Sequence, residues 1–289
     1  MIYHIIAIAI VMVWGGTFVN TKKLAEAGLN PESIFLLRFG IAYISIWFIS
    51  PLKLFCRNWR DELWMFLLGI FGGSFFFFIQ NYAIDVGRVT DVSFIVCTTP
   101  LVTVLLAILI YKSVKGSWLL FIGSFIALFG VGVVVYNGQF VLNIDPLGHL
   151  LALAASVSWA IYSLILKKIT CRYSPIFVTR KIFFYGIITI LPVFIVHPWN
   201  FPLSGFLDAQ VWGNCVFLGF VASFLCFFGW NWVIEKLGAL KASNYLYLNP
   251  VTTMLASLLF LDEPITVISF IGSLLILIGV FIANKSKTV

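Results

Sequence analysis

At 289 residues, 62% hydrophobic and only 10% charged, with a mean hydropathy of +1.07, the chain cannot coat a water-facing surface; soluble domains carry about 25% charged residues. Its net charge of +7 comes from Lys and Arg scattered singly between apolar runs, which excludes the gathered basic face of a nucleic-acid binder. The cysteines number five and form no CxxC, which argues against a disulfide framework or a zinc site, so neither cofactor nor metal is expected.

The charge-free stretches are 1–21, 39–52, 63–84, 92–111, 116–144, 146–166, 182–207, 209–234, 242–261 and 264–284. Nearly all reach the ~20 residues that cross a ~30 Å hydrocarbon layer as a helix. The first lacks a charged leader region and a small-residue cleavage site, so it reads as a retained helix with Trp14 near its centre. The second extends over roughly 32–52 once Arg38 is allowed inside it. The third ends at Asn81, and the fourth carries Thr98 and Pro100. The fifth has Gly123 and Gly130 seven residues apart. Trp159 is central in the sixth, with Tyr162 one turn further along roughly the same face. Arg180 falls inside the seventh, over roughly 175–197, and Asn231 ends the eighth. The ninth carries Tyr245, Tyr247, Asn249 and Pro250, and the tenth repeats the glycine spacing with Gly272 and Gly279. The expected fold is therefore an all-α membrane protein of ten transmembrane helices, because apolar runs such as FGGSFFFFIQ do not alternate as barrel strands must.

Lys and Arg in the links orient the helices. With the N-terminus inside, twelve of them fall on inside segments (Lys53 to Lys287) and only Lys22, Lys23 and Arg88 on outside links. Both termini are expected to be cytoplasmic. The chain also repeats itself. FIGSFIALFGV (121–131) matches FIGSLLILIGV (270–280) at seven of eleven positions, offset by 149. Asn81, Ile84, Ser93, Pro100, Thr103, Leu105 and Leu109 match residues 150 further on, IFLLR (34–38) matches IFVTR (176–180), and Trp14 matches Trp159. Two units follow, 1–140 and 146–289, each of five helices. An odd number of crossings inverts the second unit relative to the first, as in secondary transporters whose site lies near the midplane between repeats.

WGGTFV near the start, SIFLLRF, the mid-helix prolines of TTPLVTVLLA and LNPVTTMLASLLFLDEP, and the closing LFLDEPITVISFIGSLLILIGVFI carry a family likeness. Over essentially its whole length the chain resembles the drug/metabolite transporter superfamily, in its EamA branch. The resemblance implies transport of small metabolites, often amino acids and commonly outward, through a cavity walled by helices one, three, four, six, eight and nine.

Each candidate residue has a plainer reading beside the functional one. Pro100 and Pro250 remove bonds to the carbonyls of Val96 and Leu246 and act either as packing kinks or as hinges that line a site. Trp14 and Trp159 lie away from the interfaces where tryptophans collect, which leaves a substrate-stacking wall or simple packing. Arg38 and Arg180, each within about two turns of a helix end, snorkel to headgroups or guard the two mouths against anionic groups. Asn81 and Asn231 are ligands, gates or caps; Thr98, Tyr245, Tyr247 and Asn249 are candidate substrate contacts around the prolines. The glycine stripes read as helix contacts. Every Asp and Glu falls in a link or at a span edge, so no buried carboxylate is expected, which disfavours proton-coupled export of cations and favours a neutral or zwitterionic substrate.

No HExxH, paired intramembrane aspartates or Ser/His pairing suggests an enzyme. The reading is a secondary transporter of a small metabolite, an amino acid or similar compound, exported by alternating access across a bacterial inner membrane. A lipid-handling flippase or a non-transport membrane subunit is the alternative. Expected partners are the small-molecule substrate and membrane lipids, with no nucleic acid, around a monomer or weak homodimer.

Overall fold

The computed structural model describes residues 2–50, 52–86, 92, 95–110, 117–136, 146–249, 251–252 and 267–285. Pro250 lies outside them. Among the described residues every regular element is helical. The helices are α1 (Ile2–Glu26), α2 (Pro31–Trp47), α3 (Trp59–Val86), α4 (Thr99–Ile110) and α5 (Trp118–Tyr136). They continue with α6 (Pro146–Thr170), α7 (Pro175–Val196), α8 (Ala209–Leu237), α9 (Ala239–Ser243, extended by a 3-10 turn over Asn244–Leu248) and α10 (Val267–Asn284). Five of them, α1, α3, α6, α7 and α8, are long and apolar enough to cross a bilayer. The chain is an integral membrane protein.

Local sequence sets the breaks. Proline occupies the first turn of α2 and α7, where its missing N–H is no loss. Gly28, at φ +100°, ends α1, and Gly238, at φ +84°, turns α8 into α9; an L side chain is strained at either. Both α3 and α8 widen to π geometry partway along, over Ile70–Ser74 and Phe217–Leu225. These segments lie about 150 residues apart, the offset already seen in the sequence. Helix α2 packs on the wide segment of α8, and α7 packs on that of α3. A glycine permits each approach: a Cβ on Gly219 would lie 2.5 Å from Ile41 Cβ, and one on Gly69 would lie 2.4 Å from Tyr185 Cβ.

The glycine stripes of α5 and α10 meet each other. A Cβ on Gly123 would sit 2.7 Å from the Gly279 carbonyl oxygen, and one on Gly130 would sit 2.8 Å from that of Gly272. Residue 123 faces 279 while 130 faces 272, so the two helices run antiparallel. The offset of 149 turns 123 into 272 and 130 into 279, so each contact becomes the other when the two halves are exchanged.

Three expectations change. Helix α2 is only 17 residues long, so Arg38, two turns from its start, sits at its middle. Pro100 is the second residue of α4 rather than a mid-helix kink, because the chain turns at Cys97–Thr98 just before it. Two carboxylates are buried after all, Glu32 and Asp61, each in the first turn of its helix where neighbouring elements close over it.

The α5–α10 contact is backbone against backbone. Gly279→Val, whose Cβ would meet the Ala127 nitrogen at 2.4 Å, should lower the melting temperature of the detergent-solubilised protein, at a cost of about 1–3 kcal/mol or more. Gly16→Ala in α1, with open space at its Cβ, should leave it unchanged or raise it. Equal melting temperatures for Gly279→Val and wild type would contradict the close contact.

Candidate functional site

A layer of aromatic rings spans the middle of the molecule. Trp14 of α1 and Trp159 of α6 meet edge to face at 5.5 Å, Trp14 touches Trp230 at 5.1 Å, and Trp159 touches Phe76 at 4.6 Å. Phe227 of α8 lies within about 6 Å of Trp14, Phe39, Phe77, Trp159, Tyr162 and Phe183 and holds the layer together. The wide segments of α3 and α8 feed into it. Trp14 Nε1 donates to the Ala222 carbonyl at 2.9 Å, and Ser158 Oγ donates to that of Phe71 at 2.8 Å. Wide π segments recur at functional sites in helical proteins.

On one side of this layer lies a cavity of about 50 Å³. Trp14, Thr17 and Phe18 of α1, Arg38 of α2, Phe76, Phe77 and Gln80 of α3, Trp159 of α6, and Val96, Thr99, Leu246 and Asn249 line it. Two backbone carbonyls beside the cavity are met by side chains. Thr99 Oγ1 donates to Val96 O at 2.6 Å, and Cys97 Sγ approaches Leu246 O at 3.7 Å. Other polar atoms are not answered: Gln80 Oε1, Trp159 Nε1 and Asn249 Oδ1 are buried without a hydrogen-bond partner. Such atoms cost on the order of 1–3 kcal/mol each unless a ligand or water meets them. Arg38 is 3% exposed, its guanidinium 4.1 Å over the Phe77 ring with Nε donating to Ser223 Oγ at 2.6 Å. No Asp or Glu is among the described lining residues.

Beyond the aromatic layer the molecule is shut. Tyr162 donates to Asn231 Oδ1, and Asn231 Nδ2 donates to Thr179 Oγ1 at 2.7 Å, all three buried. Further out, Glu62 accepts from Lys181, from the Tyr185 hydroxyl and from the Cys56 backbone N–H. Asp61 accepts from Arg172 at 3.0 Å and from Tyr173 at 2.8 Å, while Arg180 donates to the Lys53 carbonyl beneath the Trp47 ring. Lys167 reaches the Glu235 carbonyl at 2.6 Å, and His4 bonds Tyr245. These bonds latch segment 52–62 to the α6–α7 corner. At the cavity end the bonds among the described residues are Asn20 to Asn214, Asn81 to the Pro31 carbonyl at 3.1 Å, and Glu32 beside His197 at 3.5 Å.

The candidates drawn from sequence thus separate. Trp14, Trp159, Arg38 and Asn249 share the cavity. Asn81 Nδ2 donates to the Pro31 carbonyl in the first turn of α2, Thr98 bonds its own helix turn at Ile95 O, and Tyr247 is fully buried within α9. Tyr162, Asn231, Tyr245 and Arg180 belong to the closed end. Arg38 turns inward rather than toward headgroups. Helix α2 contributes to the cavity and α8 does not, against the wall implied by the family resemblance. Gln80, Phe76, Phe77 and Thr17 went unnoticed in the sequence, although Phe77 and Phe227 are 150 apart. A second, lateral groove of about 360 Å³ runs over Phe71, Phe75, Leu150, Leu153, Val157 and Ile161 without a basic residue among its described lining.

The profile of the EamA-like transporter family matches residues 1–136 and 146–285. An "Uncharacterized transporter" of Archaeoglobus fulgidus is 30% identical over 98% of this chain and 99% of its own length. A "Probable amino-acid metabolite efflux pump" of Escherichia coli is 25% identical, covering 96% of this chain and 93% of the relative. A "Probable terminal-alkyne amino-acid exporter" of Streptantibioticus cattleyicolor is 23% identical over 95% and 91%. A crystal structure 18% identical in sequence superposes with a TM-score of 0.77 over 98% of this chain and 97% of that one, which shows a shared fold.

The latch has a built-in reporter. Burial first, and then the neighbouring Glu62, push the Cys56 thiol up to about 12, which leaves little reactive thiolate at neutral pH. Exposed Cys171 should therefore react with a maleimide well before Cys56, followed residue by residue by mass spectrometry. Glu62→Gln removes the charge that disfavours the thiolate and frees the segment, so Cys56 labelling should rise about tenfold. An unchanged rate would mean that Glu62 does not hold this end closed.

Proposed function

The chain belongs to the EamA-like transporter family, and from that premise we propose that it is a secondary transporter exporting a small metabolite, an amino acid or similar neutral or zwitterionic compound, by alternating access. The observation that carries this reading is a cavity lined by the described residues on one side of the aromatic layer, with a chain of buried hydrogen bonds on the other. A channel would be open at both ends in one state. A structural subunit would have no reason to gather unpartnered polar atoms around an internal space.

In this reading ten helices form two inverted five-helix units, 1–140 and 146–289, with both termini cytoplasmic in a bacterial inner membrane, as a monomer or weak homodimer. The exchange of the Gly123–Gly279 and Gly130–Gly272 contacts supports it, as does the reciprocal packing of α2 and α7 on the two wide segments. Matching positions are filled differently. Thr17 and Gln80 line the open side, while their counterparts at offsets of 145 and 150, Tyr162 and Trp230, fill the closed side with larger rings. Opening the closed side then requires the Tyr162–Asn231–Thr179 chain and the latch to part while the cavity side collapses onto the aromatic layer. The lateral groove lacks the basic residues a lipid headgroup needs, so lipid handling is the weaker reading.

Purified protein in proteoliposomes should carry amino acids or closely related metabolites across the bilayer. Trp159→Ala, which removes the floor of the cavity, should lower that flux by about tenfold or more while the protein still inserts and elutes as a single species. Wild-type vesicles that move none of these compounds would overturn the transporter reading, and full flux in Trp159→Ala would take Trp159 out of the site.

A further inference from the structure

Arg38 is a charge in a place where charge is expensive. It lies among rings, 97% buried, with Ser223 Oγ and the Phe77 face as its partners. The nearest acid along its helix, Glu32, stands beside His197 and does not line the cavity. Elsewhere in the molecule the buried or half-buried cations are answered: Lys181 by Glu62, and Arg180 by the Lys53 carbonyl. A buried cation without a counter-charge is stabilised by whatever anion reaches it.

Among the described lining residues the other polar groups are neutral. Thr17, Thr99, Gln80, Asn249 and the Trp159 N–H offer hydroxyls, amides and an indole donor, and none carries a negative charge. The open oxygens of Gln80 and Asn249 accept equally well from an ammonium, a hydroxyl or an amide N–H. They do not select an ammonium. The balance of charge does: a monoanion on Arg38 leaves the site neutral, whereas a zwitterion leaves an extra positive charge in a medium of low dielectric. Trp14, Trp159, Phe76 and Phe77 make the remaining wall flat and apolar.

Resting on the small-molecule reading above, we propose that this cavity is a carboxylate site whose preferred ligands are monoanionic 2-hydroxy or N-acylamino acids with an apolar body. Zwitterionic amino acids bind second, and Arg38 is the group that sets the order. The α-ammonium is dispensable, and the carboxylate is not.

The test is binding to the solubilised full chain, by calorimetry or thermal shift, with three ligands of one shape: 3-phenyllactate, phenylalanine and phenylalaninamide. 3-Phenyllactate should bind about tenfold more tightly than phenylalanine, and phenylalaninamide should give no saturable signal. Arg38→Gln should bring the three within about threefold of one another, while Arg38→Lys keeps the order at lower affinity. Phenylalanine binding as tightly as 3-phenyllactate, saturable binding of phenylalaninamide, or no binding of any of the three to the wild-type protein would each overturn the proposal. The wild-type ligand series decides the matter even where Arg38→Gln fails to fold. Binding in the predicted order without flux in proteoliposomes would instead overturn the transporter reading and leave the carboxylate site standing; flux without that order would do the reverse.

Discussion

Inside a bilayer no water is available to meet a polar group, so every donor, acceptor and charge must find its partner within the protein. Most of this molecule obeys that constraint in detail. The Val96 carbonyl at the turn before α4 is taken by the Thr99 hydroxyl, and the wide turns of α3 and α8 have carbonyls met by Ser158 and Trp14. The exceptions that share a space with room for something else, Gln80, Trp159 and Asn249, surround Arg38. Other buried polar atoms also lack a partner, among them those of Asn244, Trp230 and Tyr247, but Gln80, Trp159 and Asn249 line the cavity that holds a buried arginine, which is the form of a binding site.

The two halves of the chain use the same positions to different ends. The Trp14–Trp159 pair forms the shared floor, and the prolines and wide segments recur at matching places. The rings that close the far side, Tyr162 and Trp230, replace a threonine and an amide on the near side. In the alternating-access reading proposed above, symmetry in the backbone gives two states of comparable energy, and asymmetry in the side chains makes the two faces unequal. The Asp61 and Glu62 bonds weight that inequality further by fastening segment 52–62 to the α6–α7 corner.

Much of this was legible in the residues alone. Hydrophobic length marked the apolar spans, the internal offsets marked matching positions, and their central placing singled out Trp14 and Trp159, which meet in the ring layer. What escaped was what depends on how helices stack. Glu62 and Lys181 are 119 residues apart, and reading charges only as boundaries between spans hid the pair they make. Arg38 looked like a residue near a helix end because the short length of α2 was not visible. Pro100 looked like an interior kink because the turn at Cys97–Thr98 leaves no mark in an apolar run. Phe227, the centre of the ring layer, is one phenylalanine among thirty.

Alternation of one cavity between two faces is tested most directly by measuring both faces in the same membrane. Spin labels on Val86 and Asp208 report the cavity end, and labels on Arg60 and Cys171 report the latched end, all exposed positions. Pulsed electron–electron resonance in proteoliposomes, with and without saturating 3-phenyllactate or phenylalanine, gives both distance distributions. Alternating access requires the first distance to shorten in step with a lengthening of the second, in two populations whose ratio shifts with ligand. Two distances that stay fixed, or that lengthen together, would contradict it.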